Sequence, residues 1–500
     1  MNLGILLEGV EVTKLFELTF GHFLVTGDID VHGIQYDSRK VGRGDCFVAM
    51  RGAGTDGHKF VEAAIEKGAK VVVLEQDATL PDSYFMHTHV VKVVVPDSRR
   101  ALALMSANFF GHPSSELTIV GVTGTNGKTT TTHLISAIYQ AAGQRAGLIG
   151  TIEYKIGDEV IPASHTTPES LELNELLARM LKSGCQSVSM EVSSHALHQS
   201  RVYGIDYDVA VFTNLTQDHL DYHGTMGEYF TAKKMLFDNL SGDAVAVTNC
   251  DDEWGMKIVS TSPGRTISYG VAEKADVRAT DIRISLEGTS VNIRSGNQGS
   301  TLISPLVGRF NVYNILAAYS TGIALGHSHE TIAAGISSVK NVRGRFERIV
   351  SPQGWTAIID YAHTPDALEK CLRTIHDVLP KEGRGHIITV FGAGGDRDQT
   401  KRPLMGKIAG NLSDLAIVTS DNPRTEFPQD IIDDIVRGIP REATVVQEVD
   451  RRAAIHTALR QARSGDVILV AGKGHEDYQV IGNEKIHFSD REIVEDFIRS

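Results

Sequence analysis

The sequence predicts an α/β protein of three domains. The domains are a small N-terminal α/β domain over 1–112, a central P-loop domain with a mostly parallel sheet over 113–341, and a C-terminal Rossmann-like domain over 342–500. Three observations carry this. Five hundred residues exceed what one core can organise. Apolar strand patterns alternate with helical ones along most of the chain. Several of those strands run directly into polar or glycine-rich loops, where open α/β sheets place their ligands.

In the first segment, "GIQYDSR" and "DCFVAM" precede a helical pattern in "HKFVEAAIEKGAK" and a buried-strand pattern in "VVVL". "GHPSSE", residues 111–116, is expected as a linker. The central segment opens with the strand "LTIVGVT" and a helix from about Gly127 to Ala142. "SVSMEVS", "VAVFTN" and "AVAVTN" follow as further strands. Residues 275–306 alternate in hydropathy and turn at "EGTS" and "SGNQGS", which predicts antiparallel strands. The last segment starts near "NVRGRFERI". Its four apolar strands are "TAIIDYAH", "HIITVFGAGG", "LAIVTSDN" and "DVILVAGKG".

The formal charge of -13 argues against a nucleic-acid partner. No run of 18 apolar residues predicts a membrane span, and the N-terminal stretch lacks a basic signal-peptide region. Cys46, Cys185, Cys250 and Cys371 are scattered with no C-x-x-C pair, so reduced thiols in a cytoplasmic protein are expected.

"IVGVTGTNGKTTTTHL" departs from the strict G-x-x-x-x-G-K-[ST] spacing, because Val122 stands where the first glycine belongs. The physics of a phosphate loop survives. A buried strand precedes Gly124, Thr125, Asn126 and Gly127, and a helix follows with free N–H groups and a positive dipole end. Lys128 would reach the β- and γ-phosphates, Thr129 would offer its hydroxyl to Mg²⁺, and Thr130 extends the polar helix start. Glu191 and His219 each fall at the end of an apolar strand. Such a carboxylate–imidazole pair suits a second divalent ion, or the same ion with Thr129.

"HTTPE", "EVSSHAL", "TNLTQDHLDYHGTMGEYFTAKKMLF", "GRFNVYNILAA", "GRFE", "DYAHTPDAL", "GAGGDRDQTKRP", "SDNPR" and "AGKGHEDYQ" follow the phosphate loop in order. Together they resemble the Mur ligases of bacterial peptidoglycan synthesis, in the branch that adds a diamino acid to UDP-N-acetylmuramoyl-L-alanyl-D-glutamate. The resemblance spans nearly the whole chain. It implies that ATP, with Mg²⁺, phosphorylates the D-glutamyl carboxylate and that an amine attacks the acyl phosphate. The enzyme's partners would then be small molecules, and a cytoplasmic monomer with no membrane insertion is expected. Folylpolyglutamate synthase, which shares the acyl-phosphate chemistry, would not be expected to carry the "DNPR" and "GKGHEDYQ" pair or the first domain.

Carried onto this sequence, the resemblance makes Lys128, Glu191, His219 and Lys233 the catalytic set. Lys233 matches the position of a carbamylated lysine that joins Thr129, Glu191 and His219 around metal. Asn314, Arg345 and Asp360 match the adenine, phosphate and ribose sides of the nucleotide, with Asn311 an alternative support for the loop. Thr166, Thr167, Ser193, Gln199 and Arg201 match ligands of the muramoyl-peptide, and Ser38, Ala53, Gly54 and Thr55 the uridine end. "DNPR", Asp421, Asn422, Pro423 and Arg424, resembles the meso-diaminopimelate signature. The Arg424 guanidinium would grip the distal carboxylate through two parallel hydrogen bonds, which a lysine substrate does not offer. Arg397, Gly472 and Glu476 would hold the remaining amine and carboxylate groups.

Overall fold

The computed structural model describes residues 1–16, 29–52, 55–380 and 385–500. The chain divides into two units. The first comprises 1–121, 145–208 and 239–241, and the second 122–144, 209–238 and 242–500.

The first unit carries two sheet regions. One is five-stranded, in the order Lys14–Phe16, Val91–Val94, Val71–Leu74, Cys46–Val48, Ile34–Gln35, with only the first pairing antiparallel. "VVVL" is buried at every position, as its unbroken apolar run requires of a strand covered on both faces. The other region pairs Ser187–Glu191 in parallel with Ala146–Ile149, and antiparallel strands Glu153–Ile156 and Glu159–Pro162 follow. "GHPSSE" forms a 3₁₀ turn over Pro113–Glu116, with Pro113 and Ser114 buried and the other four residues exposed.

The second unit holds two larger sheet regions and a separate two-stranded hairpin, Tyr478–Ile481 with Glu484–His487. In the first, Val209–Phe212, Val245–Asn249, Arg265–Gly270 and Val277–Ser285 run parallel. Val277–Ser285 then begins an antiparallel meander with Gly288–Ser295 and Gln298–Ser304, as the alternation in 275–306 predicts. Helix Lys128–Ala141 packs closely on helix His329–Ser338. A Cβ on Gly335 would lie 2.6 Å from Ile138 Cα, so only glycine admits this approach.

The other sheet has the order Glu347–Val350, Thr356–Asp360, Val467–Ala471, Ile387–Phe391, Leu415–Thr419, Val445–Glu448. The four expected strands lie side by side and parallel, and Glu347–Val350 is an antiparallel edge. Two apolar clusters cover the two faces, one around Leu372, Phe391 and Ile432, the other around Trp355, Ile455 and Leu459. The loops after the four strands, "DYAH", "GAGG", "DNPR" and "GKGHE", therefore emerge at one end of this sheet.

A buried ion pair fixes one of them. Arg451, at the start of helix Arg451–Gln461, donates from Nε and Nη2 to the Asp490 carboxylate at 2.8 and 2.7 Å, and both side chains are fully buried. Arg451 Nη2 also donates to the Ala471 carbonyl, where strand Val467–Ala471 ends. Removing one partner of such a pair strands a charge. Asp490→Asn is expected to destabilise the protein by about 3–5 kcal/mol, read as a lower urea midpoint. The double change Arg451→Met with Asp490→Leu should lose clearly less. Equal losses would mean that the charge pairing is not what matters.

Candidate active site

Strand Thr118–Thr123 delivers the phosphate loop and helix Lys128–Ala141 receives it. Gly124 has φ +144 and Gly127 φ +89, conformations that L side chains avoid. A Cβ on Gly124 would fall 1.9 Å from Thr213 Oγ1, and one on Gly127 would fall 2.3 Å from Asn314 Oδ1. The glycines thus stand where the backbone of this loop needs them, whatever the strict motif spacing.

A segment that sequence reasoning did not assign to the site, Thr213 to Thr216, clamps the loop. Asn214 Oδ1 accepts from Asn126 N–H at 3.0 Å, and its carbonyl accepts from Thr125 N–H at 2.8 Å. Thr213 Oγ1 donates to the Asn126 carbonyl at 2.7 Å, and Thr125 Oγ1 accepts from Thr216 N–H at 3.0 Å. The motif "TNLT" was visible in the chain, but only the fold shows that its side chains replace missing backbone partners.

Lys128 Nζ donates to the Gly124 and Thr125 carbonyls, each at 2.9 Å. Lys233 Nζ donates to the same Gly124 carbonyl at 2.9 Å, and it lies 4.5 Å from the centre of the Tyr229 ring. Only 1% of Lys233 is exposed. Burial and the nearby Lys128 push its amine well below the usual lysine range, against the opposing pull of Asp218. His219, at φ +53, caps the short helix Leu220–His223, and its ring stands 3.6 Å from Asp218. Burial pushes its imidazole down, and Lys128 and Lys233 add to that against Asp218. Thr129 Oγ1 accepts from Arg345 Nη2 at 3.2 Å. Asp218, another residue missed from sequence, is the carboxylate common to His219, Lys128 and His363.

A cavity of about 460 Å³ in the second unit is lined by Asn126, Gly127, Thr130, Asn314, Arg345 and Asp360, all expected for the nucleotide. Asn249, Asp251, Tyr269 and Tyr313 line it too and were not foreseen. Asn314 Nδ2 donates to Asn311 Oδ1, so Asn311 orients Asn314. The Asp360 carboxylate accepts from Phe346 and Ala362 N–H groups at 2.6 and 2.8 Å. Burial pushes its pKa up, with Arg345 opposing.

In the first unit, Glu191 is buried and accepts from Thr151, from the backbone N–H at 2.8 Å and from the hydroxyl at 3.1 Å. Thr166 Oγ1 touches the Thr151 hydroxyl at 3.1 Å. Thr167 Oγ1 donates to the Glu191 carbonyl at 2.8 Å, and Ser193 N–H donates to Thr167 Oγ1 at 3.1 Å. Arg201 is held by Gln199 Oε1, the Thr167 carbonyl and the Glu169 carboxylate. These five expected peptide-binding residues are therefore neighbours, with Glu169 an unforeseen member. Ser38 follows Tyr36, whose hydroxyl donates to Glu172, and the Thr55 carbonyl accepts from Gly52 N–H. Ala53 and Gly54 lie outside the described residues.

At the end of the second unit's other sheet, Arg424 has φ +52, is half-buried, and donates from Nη1 to the Gly395 carbonyl at 2.6 Å. Asp421 and Asn422 are buried. Asn422 Nδ2 donates to Glu476 Oε2 at 3.0 Å. Pro423 is also buried, and its carbonyl would lie 1.9 Å from a Cβ on Gly395. Burial raises Asp421, but Lys473 and Arg451 outweigh it and hold the carboxyl below its usual range. Gly472, at φ +117, would put a Cβ 3.5 Å from Asp421 Oδ2. Arg397 is exposed. The "GKGHE" loop reaches both ways. A Cβ on Gly344 would lie 2.0 Å from His475 N, and one on Gly474, at φ +52, 2.7 Å from the Gly344 carbonyl. "GRFE" and "GKGHE" thus meet backbone to backbone.

Residues 30–110 match the Mur ligase family catalytic domain, 122–322 the Mur ligase middle domain, and 344–474 the Mur ligase glutamate ligase domain. The chain belongs to the Mur ligase family. It is an ATP-dependent, amide-forming ligase. A UDP-N-acetylmuramoyl-L-alanyl-D-glutamate--2,6-diaminopimelate ligase of Clostridium botulinum is 43% identical over 100% of both chains. One of the same name from Parabacteroides distasonis is 46% identical over 93% of this chain and 94% of its own. A solved structure of a ligase so named superposes with a TM-score of 0.68 at 34% identity, over 95% of this chain and 96% of that one. A ligase from Thermotoga maritima in complex with ADP shares the fold at 20% identity and a TM-score of 0.64, over 94% of this chain and 98% of that one.

His475 gives the ligase a pH signature. Burial, with Arg345 and Arg343 nearby, pushes its imidazole down to about 3. The unfolded chain, at the ordinary value of about 6.5, then binds the proton first. Stability is lost as pH falls from about 6.5 toward 3, by at most about 1.4 kcal/mol per pH unit from this group. Urea midpoints of His475→Gln should fall less steeply across that window than those of the unaltered protein, and parallel slopes would refute the assignment.

Proposed function

We propose that this ligase joins meso-2,6-diaminopimelate to the D-glutamyl carboxylate of UDP-N-acetylmuramoyl-L-alanyl-D-glutamate, with ATP converted to ADP and phosphate. The observation that carries the reading is the 43% identity over full length to a ligase of that name. The Arg424 loop and the cluster of buried Asp421 and Asn422 with half-buried Glu476 support it, since they supply both signs of charge for a zwitterionic substrate. We read 1–112 as the UDP-substrate domain, 113–341 as the ATP-binding domain and 342–500 as the amino-acid domain. The enzyme is read as a cytoplasmic monomer. Among the described residues no helix is long and apolar enough to cross a membrane, and the four cysteines are buried free thiols.

In this reading the substrate carboxylate attacks the γ-phosphorus, ADP leaves, and an acyl phosphate results. The amine of diaminopimelate then attacks the acyl carbon, loses a proton, and expels phosphate to leave the amide. Bringing these anions together needs fixed positive charge where charge develops. Lys128 supplies it at the β- and γ-phosphates, Arg345 beside Thr129 supplies it on the other side, and Asn314 and Asp360 orient the nucleoside. The loop N–H groups at the head of helix Lys128–Ala141 add their dipoles. In the second unit, Mg²⁺ would be held by the Thr129 hydroxyl, His219 and the carbamate of Lys233, and would neutralise phosphate charge. A Mg²⁺ site built largely from phosphate oxygens needs few protein ligands. Among the described residues no group of three His, Cys, Asp and Glu side chains converges. The depressed amine of Lys233 suits its role, because only a neutral amine adds CO₂ to give a carbamate and a proton. Thr166, Thr167, Ser193, Gln199 and Arg201 would hold the peptide, and Ser38, Ala53, Gly54 and Thr55 the uridine end. Arg424, with Arg397, Gly472 and Glu476, would hold the diamino acid.

The deciding experiment measures phosphate release and product mass with ATP, Mg²⁺ and UDP-N-acetylmuramoyl-L-alanyl-D-glutamate, comparing meso-diaminopimelate with L-lysine. A tripeptide product with diaminopimelate alone is expected. Product with lysine would overturn the role of Arg424, and ATP turnover without product would overturn the reaction. Lys128→Ala should abolish ligation with the fold intact by circular dichroism. Arg424→Lys should raise the KM for diaminopimelate with little change in that for ATP. The loss should equal roughly 2–5 kcal/mol if the pair is desolvated.

A further inference from the structure

Lys473 is the fully buried cation of the "GKGHE" loop, with none of its side chain exposed. Its Nζ donates to Asn422 Oδ1 at 3.0 Å and Glu476 Oε2 at 3.2 Å, and to Asp421 Oδ1 at 3.3 Å. These three bonds account for the three donors of an ammonium. The tie is reinforced, since Asn422 Oδ1 also accepts from Val480 N–H at 3.0 Å and Gln479 Nε2 donates to the Asp421 carbonyl at 2.6 Å. Arg451 anchors the strand end immediately before the loop at Ala471.

Two carboxylates and one ammonium leave this cluster one negative charge in excess. Lys473 engages one oxygen of each carboxylate, so the second oxygens, Asp421 Oδ2 and Glu476 Oε1, lie beyond its reach. Tyr478 OH donates to the latter at 3.4 Å. Arg424, two residues after Asn422, adds a cation. An excess negative charge, with a guanidinium on the same "DNPR" loop, matches the ammonium and carboxylate of an amino-acid end group.

We infer that Lys473 is the positioning residue of the amino-acid site, holding Asp421, Asn422 and Glu476 in one arrangement so that "DNPR" and Glu476 present their charges together. The inference rests on the amino-acid reading of "DNPR" proposed above. Lys473 need not touch substrate. It offsets one of the two negative charges, on buried Asp421 and half-buried Glu476, and fixes the orientation of both carboxylates and the amide across the two loops that carry them. Groups that orient binding residues in this way change affinity by about 10–100-fold in metal sites, and the same logic applies here.

The test is steady-state kinetics of Lys473→Met and Lys473→Arg, varying each of the three substrates in turn. Lys473→Met should raise the KM for meso-diaminopimelate about tenfold or more. The KM values for ATP and the UDP-linked dipeptide should stay within about twofold. Lys473→Arg keeps the charge but not the compact three-point contact, and should give a smaller rise in the same single KM. If the Met variant does not fold, the Arg variant decides. A KM for diaminopimelate unchanged in the folded variants, or an equal rise in all three KM values, overturns the role of Lys473 alone. Absence of ligated product from the unaltered protein with diaminopimelate overturns the underlying reading and the inference with it.

Discussion

One backbone oxygen organises the phosphate loop. The Gly124 carbonyl accepts from both Lys128 and Lys233, each at 2.9 Å, so two amines crowd one acceptor in a buried setting. Two ammonium ions this close repel, and burial magnifies the repulsion. The molecule relieves it by holding the Lys233 amine below its usual range and by keeping Asp218 within electrostatic reach of both. What is left is a phosphate loop with a surplus of positive character, waiting for anions. The Thr213 to Thr216 clamp exists because that loop must hold its shape against such stress without help from a sheet ladder.

The amino-acid end of the second unit inverts the arrangement. There the surplus is negative, and a single buried lysine reconciles two carboxylates and an amide. Each region is tuned to the charge it is read to receive: phosphate at Gly124, a zwitterion at Asp421. The loop Gly472 to Glu476 belongs to both, since His475 lies by Arg345 and Tyr361 while Lys473 and Glu476 face the "DNPR" segment.

Much of this was legible in the chain. The four C-terminal strands, the antiparallel meander after residue 275 and the helix behind the phosphate loop follow from hydropathy period and turn residues, and all appear in the structure. Edge elements were less visible. The short strand Val445–Glu448 and the hairpin Tyr478–Ile481 with Glu484–His487 are half-exposed or exposed at every position but Gln479, and none has the long apolar run of the inner strands. Among candidate site residues, Lys128, Asn314, Arg345 and Asp360 could be singled out because their motifs name them, and the last three line one cavity. Thr213, Asn214, Asp218 and Lys473 were passed over though they sit inside quoted motifs. Their roles are to hold other residues, and such work leaves no periodicity or spacing to read. It becomes visible only when distances between remote segments are known.

The contact between Gly344 and the "GKGHE" loop carries a consequence for inhibition. Here the chain touches itself through peptide groups, and any side chain at Gly344 would collide with His475 N and Gly474. A compound that gripped these peptide groups, rather than the side chains around them, would bind atoms that no substitution can remove. Drug resistance by a side chain added at Gly344 or Gly474 would require the ligase to give up the approach of its two loops, so escape would have to come from other positions.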